Sequence, residues 1–163
     1  MNRFALPLAA AIVLSALSIV TAFAESAVVK AGDLEITHAW TRATLPGQPV
    51  AAGYMTFENK GSEPDHLLSA SSNASPMTEV HNMAMEDDIM KMAELNDGLE
   101  IPAGGKVELT PGGTHIMFMG LEKALKEHGI VKVTLKFKTA GDVELELPVQ
   151  AADSKEAQHT HGG

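Results

Sequence analysis

The chain has 163 residues, with 12 Lys and Arg against 21 Asp and Glu for a formal net charge of −9, no cysteine, and nine Met beside one Trp and one Tyr. That acidity excludes phosphate backbones as partners, because their binding rests on clustered Lys and Arg; the missing thiols exclude disulfides, Cys-ligated zinc and a blue-copper centre. The length suits one domain with a sizeable core, not two.

The N-terminus reads as a targeting segment. Arg3 is followed by small and apolar residues from Phe4 to Phe23, closing on Ala22-Phe23-Ala24. These are the cationic, apolar and small-residue parts of a secretory signal. About 20 apolar residues could also span a bilayer, but much of this run is Ala and Ser, and a peptidase site ends it. Residues 1–24 are therefore expected to be a cleaved signal peptide. The mature chain would be residues 25–163, with a net charge of about −10 once Arg3 is gone. It is expected to reside in the periplasm, without stable membrane insertion.

Short strands with turn signals follow. Leu34 to Thr41 alternates, Ala51 to Glu58 is rich in β-formers, and Asn59-Lys60-Gly61-Ser62 makes a turn. Further strands are predicted at Leu67 to Ser71, Thr78 to Met83, Ile89 to Leu95, Lys106 to Thr110, His115 to Met119, Val131 to Lys138 and Val143 to Val149. Gly- and Pro-containing turns separate them, which points to an antiparallel sandwich or barrel. Leu121 to Glu127 is the one expected helix, ended by Gly129. The sandwich domain is expected over 25–150, and 151–163, ending Gln-His-Thr-His-Gly-Gly, as a disordered tail.

Three clusters carry chemistry: Glu79-Val-His81-Asn-Met83-Ala-Met85, Met90-Lys-Met92, and His115-Ile-Met117-Phe-Met119. Two of them hold His and Met at i, i+2, which on a strand points both side chains to one face. Thioether sulfur is a soft, neutral donor that prefers Cu(I), and imidazole is borderline. A His and Met set without Cys or converging carboxylates therefore favours Cu(I) over zinc, magnesium or calcium. Met55, between Tyr54 and Phe57, is assigned to packing, and Met77 to filler. His38, His66 and His128 are read as structural or solvated, and Trp40 as a buried core residue in preference to a cation–π neighbour of copper. His159 and His161 could hold a second metal, Cu(II) or zinc, weakly. No H-E-x-x-H, Ser nucleophile motif or Cys is present, so no enzyme is expected. The residues alone leave open which of six methionines bind.

The pattern resembles the periplasmic copper chaperone family PCuAC. Its signature is a His, ten residues, a Met, about twenty-one residues, then His-x-Met. Here ten residues separate His81 from Met92, and twenty-two separate Met92 from His115-Ile-Met117. The extra residue fits the Asn96-Asp97-Gly98 turn. His38-Ala-Trp-Thr-Arg42, Ala52-Gly-Tyr-Met-Thr56, Leu99-Glu-Ile-Pro-Ala-Gly-Gly105 and Met119-Gly-Leu121 extend the likeness over nearly the whole mature chain.

The resemblance implies an all-β, cupredoxin-like Greek-key β-sandwich that binds Cu(I) through His81, Met92, His115 and Met117. It implies a carrier that passes copper by ligand exchange towards the binuclear centre of cytochrome c oxidase, to an oxidase subunit or a Sco-type protein; the chain is expected to be a monomer. Met83, Met85, Met90 and Met119 stand outside the motif; Met90, which shares parity with Met92, and Met83 are the secondary candidates, as are His159 and His161 in the tail. The alternative is copper sequestration for metal resistance, with the same ligands and no dedicated acceptor.

Overall fold

The computed structural model describes residues 27–155. The expected signal peptide at 1–24 and the tail histidines His159 and His161 lie outside the described residues. Within them the chain forms eleven strands: β1 Val29–Ala31, β2 Leu34–Arg42, β3 Val50–Asn59, β4 Asp65–Ser72, β5 Met77–Glu86, β6 Ile89–Glu94, β7 Leu99–Ile101, β8 Lys106–Leu109, β9 His115–Met119, β10 Ile130–Phe137 and β11 Asp142–Gln150.

Alternation makes these strands, and the burial follows it. In β10, Val131, Val133, Leu135 and Phe137 are buried while Lys132 and Lys136 stay out. In β11, Val143, Leu145, Leu147 and Val149 repeat the pattern. A period of two gives each strand one apolar and one wet face, so each must cover its apolar face with another layer.

The hydrogen-bonded path runs β6-β5-β9-β3-β2-β11-β10-β4-β7, with β1 added on β2 and β8 on β3. All pairings are antiparallel except β11 with β2, which meet at Val149 and Thr41. At that junction the path folds over, and its two halves close on a shared core. Phe57 of β3 and Phe137 of β10 meet edge to face across it, with centroids 5.6 Å apart. Burying such a side chain contributes roughly 1.5–3 kcal/mol. The architecture is the cupredoxin-like β fold that the family resemblance implies. Met55 is buried in its core, as its packing role requires.

The expected helix over Leu121–Glu127 is not formed; the described residues contain no helix. Its backbone groups bond elsewhere. The Leu121 N–H donates to the Pro49 carbonyl, and the Leu125 N–H to Thr44 Oγ1 at 2.9 Å, while Thr44 N–H returns to the Leu125 carbonyl. A segment this short does not offset helix nucleation, and burial of Leu125 against the core fixes it as a loop. The sequence reading also omitted β1 and β7, each of three residues.

Candidate metal centre

Register builds the site. On β5 and β9, His81 stands opposite His115, Glu79 opposite Met117, and Met77 opposite Met119. On β5 and β6, Met83 stands opposite Met92 and Met85 opposite Met90. Val80, Ile116 and Phe118, the residues between, go into the core. All the named His and Met side chains therefore share the outer face of one sheet. Successive rows lie about 7 Å apart along the strands.

The two imidazoles form the middle row, with ring centroids 6.0 Å apart and planes inclined by 46°. His115 is 7% exposed. Its Nδ1 lies 2.9 Å from the Gly113 carbonyl oxygen. A carbonyl can only accept, so Nδ1 carries the proton and Nε2 keeps its lone pair. Asn82 Oδ1 accepts from Thr114 Oγ1, tying β5 to the loop that delivers His115.

His81 is fixed in the opposite sense. Its Nε2 lies 2.8 Å from Glu79 Oε2. An ionised carboxylate only accepts, so the neutral ring carries its proton on Nε2. Nδ1 is then an acceptor, and it is buried without a hydrogen-bond partner. An orphaned buried nitrogen is costly unless something electrophilic completes it. Each ring thus has one nitrogen held by the protein and the other left with a lone pair, the arrangement that metal-binding histidines use.

Methionines flank this row. Met117, half-buried, lies one row to one side, between Glu79 on β5 and Ala52 on β3. Met83 and Met92 make the row on the other side. The structure thus brings His81 and His115 together directly and sets Met117 beside them. Met92, 49% exposed, stands opposite Met83 in the next row, on β6. The Asn96-Asp97-Gly98 turn lies beyond the end of β6, after the residues that face the site. Among the described residues no three His, Asp or Glu side chains gather to hold a metal. Met83, Met92 and Met117 stand in the rows on either side of the two rings, with Glu94 of β6 opposite His81; thioether is the donor that a soft ion prefers.

Sequence reading named Glu79 without giving it a role; its i, i+2 spacing to His81 was the available signal. Trp40 is buried, but on the outer face and apart from the main core. It packs on Tyr54 with centroids 4.7 Å apart, and the Arg42 guanidinium lies 5.7 Å and 5.5 Å from the two ring centroids. Its cation–π partner is therefore Arg42. Burial pushes the Tyr54 phenol above its ordinary pKa, against the pull of Arg42. Ala52 links this cluster to Met117. His38 sits in the β2 bulge with φ of 53°, His66 faces Glu100 at 3.4 Å, and His128 is exposed in a turn. None of these three shares a row with the imidazole pair.

A sequence-family model described as "Putative lipoprotein LpqE-like" matches residues 34–149. A relative described as "Putative lipoprotein Lxx21020", from Leifsonia xyli subsp. xyli (strain CTCB07), is 31% identical over 121 residues, covering 74% of this chain and 72% of its own. The apo PCuAC domain of PmoF2 superposes with a TM-score of 0.67 at 27% identity, over 80% of this chain and 100% of that domain. Its copper-bound form gives 0.65 at 26% identity, over 77% and 98%. The Cu(I) form of DR1885 from Deinococcus radiodurans gives 0.55 at 30% identity, over 72% and 77%. The likeness to PCuAC read from the residues is also a likeness of fold.

Proposed function

This chain belongs to the LpqE-like family, and we propose on that footing that it is an exported Cu(I) carrier whose ligands are His81, Met92, His115 and Met117. The observation that supports this most is the pair of imidazoles with ring centroids 6.0 Å apart, each with one nitrogen fixed by a protein acceptor and a lone pair left on the other. Thioethers in the rows on both sides complete a soft donor set. Two structural neighbours are copper-bound forms, one of them with Cu(I).

Copper here is cargo. Half-exposed Met92 can leave and return without disturbing the core, so an acceptor's donors can replace thioethers one at a time with no change of oxidation state. Delivery to the binuclear centre of cytochrome c oxidase, directly or through a Sco-type protein, is the destination proposed. Export fits the lipoprotein descriptions of the family and relative, and the leader proposed is a signal peptide cleaved after Ala24. No thiol in these 163 residues could accept a lipid.

Two measurements test the proposal. Anaerobic Cu(I) titration against a chromophoric competitor should show a tight equivalent that both Met92→Ala and His115→Ala weaken, with Zn(II) unable to compete. Unchanged affinity in both variants would remove the assignment. In a deletion strain at limiting copper, loss of oxidase activity supports the carrier. Loss of copper tolerance alone would replace it with sequestration.

A further inference from the structure

The β5–β6 hairpin carries more sulfur than the site needs. Beyond the Met83 and Met92 row, Met85 and Met90 stand directly opposite each other on the same outer face. They are 62% and 49% exposed. No residue of β6 is buried, and its one strand neighbour is β5. Neither methionine belongs to a hydrophobic cluster, so packing does not account for them. Directly opposed side chains on an antiparallel pair have Cβ atoms about 5 Å apart, a separation two flexible thioethers can close on one ion.

We infer that Met85 and Met90 form a second, weaker Cu(I) site at the hairpin tip, the outer rung of a thioether ladder leading to the imidazole pair. The inference rests on the proposed Cu(I) function and adds a route to it. The rungs are Met85 with Met90 and Met83 with Met92 on β5 and β6, about 7 Å apart along the strands, and then His81 of β5 with His115 of β9, His81 facing Glu94 on β6. Thioethers alone bind less firmly than a set that includes imidazole, so the ion gains affinity at the last step. The tip itself is Asp87-Asp88, both in the left-handed region with φ of 49° and 63°. A two-residue turn of this kind favours Asn-Gly; aspartate tolerates the conformation and adds negative charge where a cation would first arrive.

The test is an anaerobic Cu(I) titration of protein labelled with ¹³C at the methionine methyls, comparing wild type, Met85→Leu/Met90→Leu and His115→Ala. Leucine keeps the apolar surface and removes the sulfur, so a docking role for this patch would survive the double change. Wild type should take a second equivalent that moves the Met85 and Met90 methyl signals. The double variant should lose that equivalent and keep the first, while His115→Ala should weaken the first and keep the second. Stationary Met85 and Met90 signals beside an intact first equivalent would overturn the ladder alone. Absence of any binding would overturn the Cu(I) function with it.

Discussion

Replacing Glu79 with Gln should weaken Cu(I) binding about tenfold and leave folding nearly untouched. Glu79 Oε2 takes the proton side of His81 at 2.8 Å, and the side chains are 24% and 12% exposed. An ionised carboxylate admits one neutral tautomer, with the lone pair on Nδ1; the Gln amide can donate or accept, so it admits both. Loss of an outer partner to a ligating His costs roughly 10–100-fold in metal affinity. Partial solvent access puts this pair at the lower end, about tenfold or 1.4 kcal/mol. As a partly exposed pair it contributes no more than about 1 kcal/mol to folding. Competitor titration gives the affinity, and ¹⁵N spectra of the apo imidazoles give the tautomer. Wild-type His81 should show protonated Nε2, and the variant a mixture. A wild-type affinity in Glu79→Gln, with the His81 tautomer unchanged, would refute the reasoning.

Two further predictions concern the frame. Burial raises the pKa of Asp65, but the backbone N–H groups of Thr139, Ala140 and His66 more than offset it, so the folded carboxyl sits below its ordinary value of 3.8. A lowered folded pKa contributes stability above the unfolded value, and that stability is lost as pH falls from 3.8 through the folded value. Asp65→Asn should therefore cost roughly 1.5–3 kcal/mol at neutral pH and flatten the acid limb of the denaturant midpoint against pH; an unchanged acid limb would count against it. Phe137→Ala removes the edge-to-face partner of Phe57 and should cost about 3–5 kcal/mol in urea unfolding. A loss below about 1 kcal/mol would mean that the two halves of the sheet do not meet there.

Strand character was local and therefore legible. Val131 to Phe137 and Val143 to Val149 alternate in sequence and alternate in burial. The same parity put His81 with Met83, and His115 with Met117, on common faces before any pairing was known. What parity does not carry is which strands become neighbours. The meeting of β5 with β9, from which the imidazole pair and the Glu79–Met117 row follow, joins segments more than thirty residues apart. Glu79 therefore stood in view without a role. Trp40 is buried, as expected, but its partners Tyr54 and Arg42 on the outer face are set by the β2–β3 register, which the local sequence does not show. Leu121 to Glu127 departs from its local signals. Its local signals favour a helix, and hydrogen bonds to Thr44 and Pro49, far away in sequence, outweigh them.

The central claim is a mixed imidazole and thioether shell around one Cu(I). X-ray absorption at the copper edge, on protein loaded anaerobically with one equivalent, reads that shell directly. The account predicts nitrogen from two imidazoles together with sulfur, and loss of imidazole scattering in His115→Ala. A shell of nitrogen and oxygen without sulfur, or one unaltered by that substitution, would contradict it.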